Sequence, residues 1–389
     1  MAKRWISLLL TAALCLAGTA LSLAEEEDVS LAEYFAQQAG EKVEARESAG
    51  AEAAAASAEQ PAYGPDGSAV ITMSFTGDVT IGSNAQSRRT SIFEKELEKQ
   101  KGDLHFPFRN VKGVFDADDL TVVNFEGTLT TADKHPDKLD NDFLFRAPPE
   151  YALMLPQGGV EAVSFENNHA MDMGGEGNQE TKQALLSQGV AYASEGEPAV
   201  LEVKGVKIGL LAYQTFGGRH DELMEKVPQE IAALRREGCA IVVVNYHWGQ
   251  EKDYAPNDNQ IRLGRATVDG GADLVIGHHS HRINPIEFYN GKYICYSLGN
   301  FSFAGHNKPD DMSTYIFQVK MRVKDGGVTS DGFIIIPCRI SSRADYNDFA
   351  PTPYTEDRDI QGVLGKLKKN GAKLRYAVEE YPLQWLGED

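Results

Sequence analysis

The chain has 389 residues, 42% of them hydrophobic, and a formal net charge of −19. That length and apolar content allow one large domain or two modest ones. The acidic balance excludes nonspecific nucleic-acid binding through a basic face, so nucleic acid is not an expected partner and any polyanionic ligand needs local Lys, Arg or metal to attract it.

Met1-Ala2-Lys3-Arg4 is a basic start, residues 5–16 form an apolar core, and Ser22-Leu23-Ala24 supplies small residues for cleavage. Residues 1–24 therefore read as a signal peptide, with an uncleaved membrane anchor as the alternative. Either way the protein is expected outside the cytoplasm, secreted or held at the surface. Cys15 follows Leu14, which is too bulky for lipoprotein processing. Residues 25–67 are rich in Ala and Glu and read as a disordered linker, because they bury too little apolar surface to offset their ordering entropy. Of the remaining cysteines, Cys239 and Cys295 sit in apolar runs and read as buried thiols.

The ordered domain is expected over 68–345, with 346–389 as an extension packed on it. A strand over 69–76 ends at Gly77-Asp78, and a helix follows at 90–100. The strand at 120–125 is closed by Asn124 and Glu126, and a polar loop spans 130–141. A short helix at 148–155, with proline in its first turn, leads to a strand at 159–165 that runs into Glu166-Asn167-Asn168-His169-Ala170-Met171-Asp172. Glycines 174, 175 and 177 break the chain before a helix at 178–188. Next come a strand at 205–213, a helix at 228–237 and an apolar strand at 239–246 that delivers His247-Trp248-Gly249. A helix at 258–268 precedes the strand at 272–276, after which three imidazoles fall in Gly277-His278-His279-Ser280-His281. The strand at 292–298 leads to Gly299-Asn300-Phe301. Residues 313–323 and 331–340 alternate apolar and polar about Lys324-Asp325-Gly326-Gly327, a hairpin pattern, and a short helix is expected at 363–369. Strands alternating with helices, then an antiparallel close, predict an α/β layered sandwich with a mixed sheet.

Five strand ends thus carry ligand-type groups: Asp78; Asn124 and Glu126; Asn168 and His169; His247; His279 and His281. Carboxylate, amide oxygen and imidazole together suit Mn, Zn or Fe, whereas a magnesium or calcium cage would be mostly oxygen. His278 reads as spare. Asp172 and Glu251 are candidates to orient His169 or His247, with loop capping as the alternative. Arg146 and Arg282 are candidates to bind an anionic substrate, with surface ion pairs as the alternative. Trp248 reads as core, and His105, His135, His220 and His306 carry no role.

The segments Phe75-Thr76-Gly77-Asp78-Val79, Asn124-Phe125-Glu126, Asn167-Asn168-His169-Ala170-Met171-Asp172, His247-Trp248-Gly249-Gln250-Glu251, Gly277-His278-His279-Ser280-His281 and Tyr296-Ser297-Leu298-Gly299-Asn300-Phe301 resemble, in order, those of the CapA family of poly-γ-glutamate capsule biosynthesis proteins. That family is similar to the calcineurin-like metallophosphoesterases. The resemblance implies an αββα sandwich with one or two divalent ions at its strand ends. It assigns Asp78 and His281 to one ion, Glu126 to a bridge, and Asn168, His247 and His279 to the other. His169 is implied as general acid or charge stabiliser, and Asn300 as a neighbouring contact. Two departures are visible: Val79 and Thr80 follow Asp78 where that superfamily usually has Asp-x-His, and Glu126 stands where it usually has Asp. Glu166 occupies a position where the family usually has a small residue. The implied function is biosynthesis, processing or export of poly-γ-glutamate or a related anionic envelope polymer by metal-assisted hydrolysis or transfer, with the polymer and membrane synthase subunits as partners. The rival readings are an extracellular metallophosphoesterase and a noncatalytic accessory subunit of a polymer synthase.

Overall fold

The computed structural model describes residues 64, 66–85, 91–133 and 143–386. The signal expected at 1–24, the linker at 25–67 apart from residues 64, 66 and 67, and most of the loop at 130–141 lie outside the described residues. Two mixed sheets face each other. The first runs Thr352–Pro353, Gly327–Arg339, Ser313–Lys324, Ala69–Thr80, Leu120–Phe125, Ala162–Ser164, Ala191–Ala193, with Asn300–Phe303 also paired to Ala69–Thr80. The second runs Ile286–Tyr289, Lys292–Cys295, Leu274–His278, Ile241–His247, Val206–Gln214, Ala199–Val203. Strands are parallel at the centre of each sheet; both edges of the second sheet and the Thr352–Pro353 edge of the first are antiparallel, while the Ala191–Ala193 edge of the first is parallel.

Period-two alternation explains why the central strands are apolar without a break. In Ile241–His247, Ile241 and Val243 join Ile71, Met73, Phe75 and Leu120 in the core between the sheets. Val242, Val244 and Tyr246 face the other way, onto Leu223, Val227 and Ile231 of the helix His220–Arg236 and Leu263 of the helix Asp258–Asp269. Helix Gly174–Ser187 packs beside the edge strand Ala191–Ala193 of the first sheet. The layers are helix, sheet, sheet, helix, an αββα sandwich with mixed sheets.

Several boundaries differ from those expected. The helix expected at 228–237 begins at His220 and carries Pro228 inside it. Its buried residues Leu223, Val227, Ile231 and Leu234 keep one face against the sheet, and that packing outweighs the hydrogen bond proline removes. Glycines 174, 175 and 177 do not break the chain but form the first turn of Gly174–Ser187; a Cβ on Gly177 would stand 2.5 Å from that of Met173. The last helix runs Asp357–Gly371, burying Val363 and Leu367 while Gly365 lies on its exposed side. The hairpin forms through a two-residue turn, Asp325-Gly326, with φ of 51° and 76°, as a type I′ turn demands. Beyond residue 346, the Val378 N–H donates to Ile286 O at 2.9 Å and the Ile335 N–H to Pro382 O at 2.8 Å, joining the C-terminal segment to both sheets. Cys239, Cys295 and Cys338 are buried free thiols.

Candidate metal centre

The first strand continues past Thr76 to Thr80, and a register shift decides where Asp78 points. Phe75 pairs with Val122 but Asp78 with Asn124, so three residues on one strand match two on the other. Such a bulge turns Asp78 to the face of Val122 and Asn124, which lies between the sheets. Gly77 permits it: a Cβ there would stand 2.0 Å from the carbonyl oxygen of Gly299, the acceptor of the Asp78 N–H at 2.9 Å. Glu126 follows Phe125 and is fixed by its N–H donating to Val79 O at 2.8 Å.

From the opposite sheet, His247 and His278 pair side by side at the ends of Ile241–His247 and Leu274–His278. His278 has the parity of Leu274 and Ile276, which face the inter-sheet core. The sequence left His278 spare; in the structure it is buried with Nδ1 3.5 Å from Asp78 Oδ1. Gly277 holds this strand against its neighbours, since a Cβ would meet Tyr296 O at 2.2 Å and Trp248 Nε1 at 2.3 Å. Trp248 is core, stacked between Tyr246 and Tyr296.

Asn124 Nδ2 donates to Asp78 Oδ1 at 2.9 Å and lies 3.4 Å from His247 Nδ1. His247 Nε2 is 3.3 Å from Glu126 Oε1. One ligand atom each from Asp78, Glu126 and His247 lies within 4.8 Å of the others. Both Glu126 oxygens and His247 Nε2 are buried without a hydrogen-bond partner among the described residues. Leaving carboxylate oxygens in that state is costly, and a divalent cation bound by these three donors relieves it. The residues present fit a divalent cation.

After His278 the chain turns sharply, and His279 and His281 both adopt left-handed φ, 94° and 55°. Two non-glycine residues held this way within three positions is strain of the kind found at functional sites. The turn brings the His279 ring to 4.7 Å from that of His247 and His281 Nδ1 to 3.1 Å from Asp78 Oδ2. His281 Nδ1 is also 2.8 Å from Asn300 Oδ1, so this nitrogen lies between the Asn300 amide oxygen and the Asp78 carboxylate.

Burial, the largest influence on Asp78, favours its neutral form, but hydrogen bonds and charge from His278 and His281 outweigh it and hold the carboxyl well below its ordinary range. Glu126 is pushed well above the ordinary range by burial and then by the charge of Asp78. Burial and neighbouring imidazoles depress His247 well below its usual value and lower His279 to about 4. His281 is raised to about 9: burial opposes its charge, and the Asp78 hydrogen bond with the Glu126 and Asp78 charges overcomes burial. Neutral His247 and His279 thus stand ready as nitrogen donors beside an acidic pair.

His169 lies in the turn after Ala162–Ser164, with its N–H donating to Asn167 Oδ1 at 3.0 Å. Its Nδ1 is 2.8 Å from Asp172 Oδ2, which also accepts the Phe145 N–H at 2.6 Å. Asp172 is thereby the group that orients His169, and Nε2 is left for chemistry. Asn168 is half-buried in the same turn. Glu251 is exposed and makes no hydrogen bond to His169 or His247; its charge acts on Glu126, His279 and His281. Arg146 donates to Ala132 O at 2.8 Å and lines a different cavity with Ser83, Thr130 and Thr131. Glu166, unexplained in the sequence, accepts from Ser194 Oγ at 2.9 Å, the Glu195 N–H at 3.1 Å and Gln214 Nε2 at 2.7 Å, joining strand ends of the two sheets.

Sequence reasoning missed three contributors. Strand parity was the available signal for His278. Asn167 donates to Phe125 O at 2.7 Å and to Asn124 Oδ1 at 3.3 Å, so it locks the Asn124 amide. Phe216, more than a third exposed, sits edge-on to His279 at 4.8 Å ahead of Gly217 and Gly218; nothing in its local sequence marked it.

Known proteins share this chain's pattern. The model of the family described as bacterial capsule synthesis protein PGA_cap matches residues 72–304. The PGA biosynthesis protein CapA of Bacillus subtilis is 31% identical over 345 residues, 84% of this chain and 85% of that protein. The capsule biosynthesis protein CapA of Bacillus anthracis is 27% identical over 328 residues, 78% of this chain and 74% of that one. Among solved structures, the calcineurin-like phosphoesterase YfkN from Bacillus subtilis aligns with 77% of this chain and 98% of its own, at 13% identity and a TM-score of 0.45.

Proposed function

The chain belongs to the bacterial capsule synthesis protein PGA_cap family, and from that premise we propose that it acts in biosynthesis, processing or export of poly-γ-glutamate or a related anionic envelope polymer, through metal-assisted hydrolysis or transfer. Asp78, Glu126 and His247 would hold the ion, with His279, His281 and Asn168 available for one or two further positions. The observation that carries this reading is the convergence of one ligand atom from each of those three buried side chains within 4.8 Å, with both Glu126 oxygens and His247 Nε2 lacking a hydrogen-bond partner among the described residues. A divalent ion of the Mn, Zn or Fe type bound there supplies Lewis-acid polarisation of an amide or phosphoryl oxygen and lowers the pKa of water.

The chain's own residues do the rest. His169, held by Asp172 through Nδ1, presents Nε2 to move a proton to or from the leaving group. Phe216 and Phe145 pack against the rings of His279 and His169 respectively. The basic start and apolar core of residues 1–24 support action outside the cytoplasmic membrane, secreted or anchored there beside membrane synthase subunits.

The test is metal content and polymer chain length together. Purified protein is expected to carry a divalent ion that Asp78→Asn removes, and to shorten or transfer oligo-γ-glutamate only when loaded. Robust turnover of phosphodiesters without any change in the polymer would replace this substrate by a phosphoester. Polymer production that survives His279→Ala would leave a noncatalytic accessory role.

A further inference from the structure

A cavity of about 230 Å³ opens beside His281 and Asn300, lined also by Lys252, Arg282, His306 and Lys308. Its position is set by the fold. The Lys252 N–H donates to Ser280 O at 2.7 Å, which ties the 249–253 loop to the histidine turn, and residues 304–312 leave the Asn300–Phe303 strand to form the far wall. His281 is thus shared between the cavity and the Asp78 contact, so a group in the cavity borders the candidate metal centre.

The charge of this cavity opposes that of the molecule. The protein carries a net −19. Yet three cationic side chains line the cavity against a single carboxylate, Asp310. Lys252 and Lys308 are exposed, and neither ammonium forms an ion pair with a described residue, whereas Lys182 is paired with Glu197 and Arg265 with Glu287. Arg282 is only 7% exposed, and its Nε is buried with no hydrogen-bond partner among the described residues. Its guanidinium is held in place by Nη1 donating to His281 O at 2.9 Å and by the Tyr254 ring at 5.7 Å. Three cations facing one carboxylate leave an excess of positive charge beside the candidate metal centre, which an anionic ligand neutralises. The volume lies below that of a pocket enclosing a whole drug-sized ligand, and suits one residue-sized anionic group of a longer chain.

We propose that this cavity is an oxyanion subsite that takes one carboxylate of an acidic polymer, with Lys252, Arg282 and Lys308 as its cationic contacts, and so sets which bond of the chain lies over the metal centre. The proposal rests on the polymer reading given above. A phosphate group shares the chemistry, and the experiment separates the two.

The full chain, stripped of metal with a chelator, is titrated with fluorescein-labelled oligo-γ-glutamate and followed by anisotropy at low and high salt. Competitors are inorganic phosphate and the same oligomer with its carboxylates amidated. The double reversal Lys252→Glu/Lys308→Glu is expected to weaken binding by about tenfold or more. Its metal content should match the wild type, and the amidated oligomer should not compete. A control reversal of equal charge at the far end of the strands, Lys207→Glu/Arg236→Glu, is expected to bind as the wild type does. Equal binding by the double reversal, competition by the amidated chain, or no binding of the oligomer at all would overturn the subsite. Binding of phosphate alone would reassign it to phosphoesters. If the oligomer binds here but is never cut with any metal, the catalytic reading fails and the subsite stands. If the reversal variant cuts the oligomer with unchanged KM, the subsite fails and the catalytic reading stands.

Discussion

Replacing Glu126 by Gln is expected to stabilise the metal-free protein while abolishing its stabilisation by divalent ions. In the structure both Glu126 oxygens are buried without hydrogen bonds, and the side chain faces the Asp78 carboxylate across the site. A buried polar group without a partner costs about 1–3 kcal/mol, and the ionised form of Glu126 also bears repulsion from Asp78. Glutamine keeps the shape and removes the charge, so the metal-free variant should gain on the order of 1 kcal/mol. In domains of roughly 150–250 residues that moves the melting temperature upward by about 2–4 °C. The wild type, by contrast, should gain about 2.7 kcal/mol from an ion present at a hundredfold excess over its Kd. Differential scanning calorimetry with chelator and then with Mn or Zn reads both effects. A Glu126→Gln protein that melts below the wild type without metal, or that metal stabilises as fully as it does the wild type, would refute the argument that this carboxylate is strained for want of a cation.

Three other expectations follow from particular contacts. Gly77→Ala places a Cβ 2.0 Å from Gly299 O and must displace backbone, so a loss of about 1–3 kcal/mol or more should appear in chemical denaturation. Asp172→Asn should lower turnover by about 10–100-fold with metal content unchanged, because Asp172 orients His169 through Nδ1 and not the ion; steady-state kinetics beside elemental analysis checks both. At the opposite ends of the strands, burial raises Asp118 to about 6 and Glu161 to about 7. The folded state then binds protons more tightly than the unfolded chain. Stability should therefore fall as pH rises from the ordinary carboxylate range through about 6–7, with Asp118→Asn flattening the slope in urea titrations at several pH values. Glu161 is the more exposed of the two, so solvent screening makes its share the smaller.

The strand-end residues were legible in the sequence because each lies next to an apolar, β-branched run that can only be a buried strand, and a polar group ending such a run faces a sheet edge. Apolar runs such as Ile241-Val242-Val243-Val244 require cover on both faces, which is the layered sandwich itself. Composition set the Ala- and Glu-rich residues 25–67 apart from the apolar runs that follow. Those inferences need only local periodicity and the cost of burying polar groups.

What tertiary structure alone decided is which of those groups meet. Asp78 reaches the inter-sheet face because a bulge shifts its register against Asn124, and the bulge depends on Gly299 crossing Gly77 from more than two hundred residues away in the chain. Pro228 stays inside a helix because the sheet beneath it rewards the continued face, a term absent from any local propensity. Glu166 has meaning only once Ser194 and Gln214 arrive at the same corner, and the pairing of His247 with His278 exists only in the folded register of their two strands. The sequence by itself determined the elements and the kinds of donor at their ends; contacts between distant segments determined their rotation, their distances and the charge each one feels.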